Sequence, residues 1–186
     1  YVKFQTFKAK NLAAAHAEKA KYQARTTNNA ESQLTMLQRL ELSLEDHETI
    51  ISRCKQKGVR FLSTPFDLES LSLLTDTFSL SEIKLGSGEL NNAPLLLAAG
   101  RTKATIILST GMGSLSEVEE ALGVLAFAMC RKGQPQGRTD FADVLLDPDV
   151  WPILAERVTL MHCTTEYPAA ICDTNLNAIK TLNQAF

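Results

Sequence analysis

The stretch 83–89 brings together side chains that could bind an anion. Apolar residues flank Lys84 on both sides, a pattern that predicts a strand whose lysine points away from its apolar neighbours. The strand runs into a glycine-containing turn, where backbone N–H groups beside Ser87 can receive phosphate oxygens. Glu89 adds a carboxylate at the end of this turn. Taken alone, the stretch is equally compatible with a solvated lysine followed by an ordinary turn.

Polar side chains also lie at the ends of the other predicted strands. In the opening segment, Lys3 and Gln5 share the face opposite to Val2 and Phe4. Two lysines with several hydroxyls suit a small phosphorylated or carboxylated substrate, because point charges and short donors neutralise an oxyanion. The whole set comprises Lys3, Gln5, Thr64, Lys84, Ser87, Glu89, Ser109, His162 and Tyr167.

The composition indicates an ordinary globular protein and excludes several classes. With 186 residues, of which 45% are apolar and 22% charged, the chain is long enough for one sizeable core. A net charge of −2 argues against a nucleic-acid partner, which would require a strongly basic face. The four cysteines lack CxxC or structural-zinc spacing, so we expect free thiols in a reducing cytoplasm. We expect no membrane partner, since neither a signal peptide nor a long apolar span is evident.

Strand and helix patterns alternate along the sequence, which predicts the α/β class with parallel strands. Polar groups follow every predicted strand, an arrangement that favours a (β/α)₈ barrel over an open doubly wound sheet. The chain supplies only an incomplete set of about five βα units for such a barrel. The strands are expected to begin near Tyr1, Val59, Glu82, Thr105 and Val158.

Local signals predict several helix ends. Ser43 is expected to begin a helix that stops at Gly58, and Asn92 to cap a helix that Gly100 ends. Ser116 and a glutamate three residues later predict a capping box, next to a glycine turn that could cradle an anion. The segment 140–155 is predicted to be an inserted excursion with a short helix. A final helix is expected from about residue 175.

Short runs spread over almost the whole chain carry a family resemblance. They are Lys3 to Phe7, Tyr22-Gln23, Glu31 to Leu34, Phe61 to Asp67, Ile83 to Glu89, Ile107 to Met112 and His162 to Pro168. In content and order they closely resemble the sialic acid synthase family, which includes N-acetylneuraminate, legionaminic acid and pseudaminic acid synthases. Only the segment from about 133 to 156 looks longer than expected.

The resemblance implies a TIM barrel and a transferase reaction. Family members condense phosphoenolpyruvate with an N-acetylmannosamine-type sugar, releasing phosphate and a nine-carbon 2-keto acid for polysaccharide biosynthesis. The implied catalytic residues are Lys3, Lys84 and Glu89, and the implied substrate-binding residues are Gln5, Thr64, Ser87, Ser109, Thr165 and Tyr167. Of these, the resemblance assigns Lys3, Thr64, Lys84, Ser87 and Ser109 to phosphoenolpyruvate, and Gln5, Glu89 and Tyr167 to the sugar. Thr165 stands where some members have asparagine.

Some parts of the family pattern are missing from this sequence. The first barrel strand with a catalytic glutamate, the last two strands with two metal-binding histidines, and a small C-terminal domain have no counterpart. We therefore expect residues 1–186 to form a partial TIM-barrel synthase domain. The resemblance further implies a divalent metal, Mn²⁺ or Mg²⁺, with its ligands outside this chain, and a homodimer when the protein is complete.

Two other functions fit the same residues. A Schiff-base aldolase of similar barrel shape could use Lys84 as its nucleophile. A degenerate barrel kept for binding or assembly is a third reading, although the intact charged residues argue against it, because unpaired buried charges are costly. Within the family, the resemblance leaves open which nine-carbon sugar is made.

Overall fold

The computed structural model describes residues 1–17, 19, 32–165 and 168–186. The chain divides into two compact units, Tyr1–Leu74 and Thr75–Phe186. Each unit contains its own parallel sheet. Along the chain, the strands of these sheets alternate with helices. No helix within the described ranges combines the length and the apolar character that a membrane span requires.

The first unit is built on a two-stranded parallel sheet. Its strands are β1, Val2–Thr6, and β2, Phe61–Pro65, and its helices are α1, Ala9–Leu12, α2, Gln33–Leu40, α3, Leu44–Gln56, and α4, Leu68–Ser72. A π-helical turn, Leu73–Thr77, follows α4. The register places Gln5 beside Thr64 and Lys3 beside Leu62. In a parallel pair such neighbours share one face of the sheet, so Lys3, Gln5 and Thr64 lie on the same face.

The second unit is built on three parallel strands in the order β3-β4-β5. The strands are β3, Glu82–Leu85, β4, Thr105–Ser109, and β5, Val158–Met161; the helices are α5, Ala93–Arg101, α6, Leu115–Cys130, α7, Arg138–Val144, α8, Val150–Arg157, and α9, Asn177–Ala185. Short 3₁₀ turns span Ser87–Glu89 and Ile171–Asp173. The register pairs Lys84 with Ile107 and Ser109 with Met161.

The predicted α/β class and all five predicted strands are confirmed. The described strands form two separate parallel sheets, however, and not a closed barrel. Closure requires a continuous circle of paired strands at a consistent tilt, which five strands in two groups do not provide. The (β/α)₈ barrel and the assignment of residues 1–186 to one partial barrel domain therefore stay predictions.

Helix α6 forms the centre of the second unit's core. Its residues from Ala121 to Ala128 are all buried, and such a helix, apolar on every side, packs only in an interior. The strand residues Ile83, Leu85 and Leu108 are fully buried as well. The long apolar run that the sequence shows here is thus explained by burial against neighbouring elements on several sides.

The structure confirms the helix ends predicted at Ser43, Gly58 and Asn92 and corrects three other helix predictions. Ser43 begins α3 through a capping box with Asp46, and Gly58, at φ +65°, follows the end of that helix. The predicted capping box at Ser116 is wrong: the box lies two residues earlier. The helix α5 continues one residue past Gly100, to Arg101, so this glycine does not end it. The missing Cβ allows close packing instead, since a Cβ there would be 2.6 Å from the Cβ of Ala128 in α6.

The remaining correction concerns the segment predicted as an excursion with one short helix. It contains two helices, α7 and α8, which begin at Arg138 and Val150. Val144, Val150 and Leu154 are buried, so the segment belongs to the core of the second unit. The last helix, α9, begins two residues later than predicted, at Asn177.

Gly123 allows α6 and α7 to approach each other closely. A Cβ at this position would lie 2.4 Å from the backbone oxygen of Phe141, which cannot rotate away. We expect Gly123→Ala to destabilise the protein by about 2 kcal/mol, since overpacking outweighs the helix propensity of alanine. Urea unfolding measures the effect, with Gly88→Ala as control because no atom lies within 4 Å of that added Cβ. A gain in stability would show that the helix propensity of alanine outweighs the contact with the Phe141 backbone.

Candidate active site

Lys84 and Ser109 form a hydrogen-bonded pair across two neighbouring strands. The Lys84 Nζ atom donates to the Ser109 Oγ atom at 2.5 Å. Lys84 is half-buried and Ser109 is 2% exposed, so the pair is largely shielded from water. Because an ammonium group can only donate, the serine oxygen accepts here and its own proton can be donated to an anionic oxygen. The predicted association of these two strand ends is thus a direct contact.

The turn after β3 places a hydroxyl and a carboxylate shortly after Lys84 in the sequence. Ser87 and Glu89 occupy the 3₁₀ turn, and both are half-buried. The backbone N–H of Glu89 donates to the Gly86 oxygen at 3.0 Å, which closes the turn. The Glu89 Oε2 atom accepts a hydrogen bond of 2.7 Å from the side-chain amide of Asn92. The carboxylate therefore has a defined orientation.

Close packing holds the three strand ends of the second unit together. A Cβ at Gly113 would lie 2.3 Å from Leu90 Cδ1, and a Cβ at Gly111 would lie 2.5 Å from the Cys163 backbone oxygen. The loop after β4 thus touches both the turn after β3 and the loop after β5. Thr110 adds two hydrogen bonds to the Met161 backbone oxygen, from its N–H at 3.0 Å and from its hydroxyl at 3.2 Å. A larger residue at Gly111 would push the two loops apart, because it would meet the backbone of Cys163, whereas at Gly113 the Leu90 side chain could shift.

The N-terminus of α6, predicted as an anion cradle, is occupied by its own capping box. The Ser114 N–H donates to the Glu117 Oε2 atom at 2.7 Å, and the Ser114 hydroxyl donates to the same oxygen at 2.8 Å. These hydrogen bonds lower the pKa of Glu117, the backbone one contributing most. A carboxylate held at this helix end competes with any other anion. The geometry therefore favours the turn after β3 over the α6 terminus as an anion site.

Thr64 in the first unit carries a buried hydroxyl for which the described residues offer no partner. Its side chain is 2% exposed, and no described group hydrogen-bonds to its Oγ1 atom. A buried hydroxyl without a partner costs stability, so a ligand that completes its hydrogen bonding is a natural explanation. Lys3 and Gln5 lie on the same face of the sheet and are exposed. The structure thus brings together the three residues that the sequence predicts for this unit.

A buried hydrogen-bond chain links the two strands of the first unit to α3. His47, 0% exposed, places its Nδ1 atom 2.7 Å from the Ser43 backbone oxygen and its Nε2 atom 2.9 Å from the Thr6 Oγ1 atom. The carbonyl can only accept, so Nδ1 carries the proton and, in the neutral ring, the Thr6 hydroxyl donates to Nε2. Ser63 then donates to Thr6 at 2.7 Å. His47 is thus a packed histidine with a hydrogen-bond partner at each ring nitrogen.

We expect Thr6→Val to destabilise the protein by about 1–3 kcal/mol, because it removes the hydroxyl that donates to the buried His47 ring. The substitution keeps the size and the branched Cβ of threonine. Thr49→Val, at an exposed position of α3, is the matched control and should stay within about 0.5 kcal/mol of the parent protein. Urea unfolding measures both variants. Equal stability of the two variants would mean that the chain of hydrogen bonds contributes nothing.

The loop after β5 is described only in part. Thr165 is exposed, and the predicted sugar-binding residue Tyr167 lies outside the described residues. The His162 Nε2 atom donates to the Thr174 backbone oxygen at 2.7 Å. Sequence reasoning missed this backbone partner, since nothing in the local pattern indicates it.

The described residues contain no group of three or more His, Cys, Asp or Glu side chains that could hold a metal ion. The divalent metal that the resemblance implies thus has no fitting donor set among them. The four cysteines are free, as predicted: Cys54 is buried, Cys130 and Cys163 are half-buried, and Cys172 is exposed. Burial raises the pKa of the Cys130 thiol, which keeps it protonated and unreactive.

Two solved structures named for sialic acid or spore coat polysaccharide biosynthesis share this fold. The N-acetylneuraminic acid synthetase of Leptospira borgpetersenii superposes with a TM-score of 0.67 at 25% identity, over 99% of this chain and 50% of that one. The spore coat polysaccharide biosynthesis protein SpsE of Bacillus subtilis gives a TM-score of 0.65 at 27% identity, over 99% of this chain and 41% of that one. The class that these neighbours define is an α/β protein of sialic acid or polysaccharide biosynthesis.

The sequence model of the NeuB family matches residues 1–186, and the chain belongs to this family. It is 45% identical to the N,N'-diacetyllegionaminic acid synthase of Campylobacter jejuni, over 100% of the chain and 48% of the relative. The enzyme of that name from Legionella pneumophila is 36% identical, over 100% of the chain and 46% of its own length. The chain thus spans about half the length of these curated relatives. The predicted family is confirmed.

Proposed function

We propose that this chain is part of a TIM-barrel transferase that condenses phosphoenolpyruvate with an N-acetylmannosamine-type sugar. The observation that carries the proposal is the shielded ammonium–hydroxyl pair of Lys84 and Ser109, which lies at adjacent strand ends of a NeuB-family chain. A fixed cation beside a hydroxyl that can still donate suits a phosphate or carboxylate group. The fold class and the family support the proposal independently of this contact.

Three groups of the second unit would bind phosphoenolpyruvate in this proposal. The Lys84 ammonium neutralises the anion, and the hydroxyls of Ser109 and Ser87 donate to its oxygens. Binding there would hold the enol phosphate while its C3 atom attacks the aldehyde carbon of the sugar and forms the new carbon–carbon bond. Water then adds at C2, and phosphate leaves as that carbon becomes the keto group. The Lys84 ammonium would already be in position when phosphate leaves, so no rearrangement of the site is needed to stabilise the departing anion.

Glu89 would bind the sugar. Asn92 holds its carboxylate at the end of the turn that contains Ser87. There the carboxylate would accept from a hydroxyl or the N-acetyl N–H of an acceptor sugar. Hydrogen bonds from a neutral group to a carboxylate are stronger than neutral pairs and favour one sugar over its analogues. The roles of Lys3, Gln5, Thr64, Thr165 and Tyr167, the divalent metal, the cytoplasmic location and the homodimer remain proposals from the family resemblance.

The relatives favour a particular sugar product. Both relatives above 30% identity that span the whole chain are named for N,N'-diacetyllegionaminic acid. Phosphoenolpyruvate contributes three carbons without nitrogen, so the acceptor of such a product must already carry both acetamido groups. We therefore propose a mannose-type sugar with two acetamido groups as substrate.

An assay of the complete protein tests the proposal. Phosphate release is measured with phosphoenolpyruvate, Mn²⁺ and either a diacetamido sugar or N-acetylmannosamine. We expect turnover with both, and the higher kcat/KM with the diacetamido sugar. No turnover with either sugar would contradict the synthase proposal, and a preference for N-acetylmannosamine would contradict the choice of substrate. Borohydride trapping with a keto acid separates the aldolase alternative, because only a Schiff-base enzyme would be labelled.

A further inference from the structure

We infer that Asn92 is a positioning residue that sets the orientation of the Glu89 carboxylate toward the sugar, an inference that rests on the proposed function. The two side chains meet directly, with the Asn92 Nδ2 atom 2.7 Å from the Glu89 Oε2 atom. The Asn92 Oδ1 atom accepts from the Leu95 backbone N–H at 3.3 Å and thereby caps α5. One amide thus connects the sugar-facing carboxylate to a helix.

The chemistry of the partners fixes which end of the amide faces each of them. A backbone N–H can only donate, so the oxygen of Asn92 must face Leu95. A carboxylate can only accept, so the nitrogen must face Glu89. Asparagine is a good N-cap and also carries this donor. Aspartate caps helices as well but has no donor for Glu89, and serine holds its hydroxyl one bond closer to the backbone than the amide nitrogen that reaches Glu89.

Backbone hydrogen bonds and buried neighbours hold Asn92 in place. The backbone N–H of Asn92 also donates to the Glu89 backbone oxygen at 3.0 Å, so main chain and side chain join the same two residues. Leu90, between them, is 5% exposed and packs against Gly113. The helix that Asn92 caps buries Leu95 and Leu96 completely. The Asn92 side chain that holds the carboxylate is therefore anchored to a packed helix.

Two substitutions separate the positioning role from the cap. Asn92→Asp and Asn92→Ser keep a side-chain oxygen for the Leu95 N–H but remove the amide that donates to Glu89. Loss of orientation should raise the KM for the sugar about tenfold and leave the KM for phosphoenolpyruvate within about twofold. Asn91→Asp is the matched control, because it introduces the same charge at the adjacent exposed position. It should keep both KM values.

Steady-state kinetics and the thermal midpoint of the complete protein are measured for every variant, with Asn92→Ala included. The alanine variant loses both functions, so we expect the same rise in sugar KM together with a lower midpoint. Retention of the parent sugar KM by both Asn92→Asp and Asn92→Ser would overturn the inference. Parallel changes in both KM values and in the midpoint would also overturn it, since they indicate a structural role. Failure of the proposed function is recognised separately, as absence of turnover in the parent protein.

Discussion

Replacing Lys84 with alanine is expected to lower kcat/KM by about 10²-fold or more, equivalent to roughly 3 kcal/mol of lost transition-state stabilisation. The KM for phosphoenolpyruvate should rise at the same time. The reason is that Lys84 supplies the positive charge of the half-buried pair with Ser109, and the neutral serine cannot replace it. Initial rates of phosphate release, with phosphoenolpyruvate varied at saturating sugar, measure the effect.

Two further variants make the Lys84 experiment specific. Lys84→Met keeps most of the side-chain volume but removes the charge and the hydrogen-bond donor to Ser109, so it should resemble the alanine variant. Lys103→Ala removes an exposed lysine of the same unit and should keep the parent kinetics. Unchanged phosphoenolpyruvate kinetics in both Lys84 variants would mean that the anion binds elsewhere.

Local patterns predicted the elements that carry these residues. Alternation of apolar and polar residues around Lys84 identified β3, because strand side chains point alternately to opposite faces. Ser43 and Asn92 were predicted correctly as caps, since each precedes a run with helical periodicity. Such signals depend on neighbours within a few residues.

Contacts between distant residues could not be predicted in the same way. The hydrogen bond from Thr6 to His47 joins residues 41 positions apart, and no local pattern encodes it. The glycine at position 100 suggested a helix end, whereas the structure uses its missing Cβ for packing against α6. The capping box of α6 was misplaced because two overlapping serine–glutamate spacings satisfy the same rule, and only backbone geometry distinguishes them.

In the candidate site as well, the residues were predicted but their contacts were not. Lys84, Ser109 and Glu89 were predicted as strand-end groups from their types and positions. Their individual partners emerged only from the three-dimensional arrangement, in which Asn92 holds Glu89 and Ser109 receives the lysine. The buried Thr64 hydroxyl is another case, since its lack of a partner among the described residues can be recognised only once burial is known.

Glu89→Gln should raise the KM for the sugar about 10- to 100-fold, the range expected when a hydrogen bond to a charged group becomes neutral. The glutamine oxygen can still accept from Asn92, so the shape of the turn should persist and the KM for phosphoenolpyruvate should change far less. Glu119→Gln, on the exposed surface of α6, removes the same charge away from the turn and serves as control. Both KM values are measured for each variant at saturating co-substrate. Equal losses for both substrates would contradict a sugar-binding role and would indicate that Glu89 supports the fold or transfers a proton.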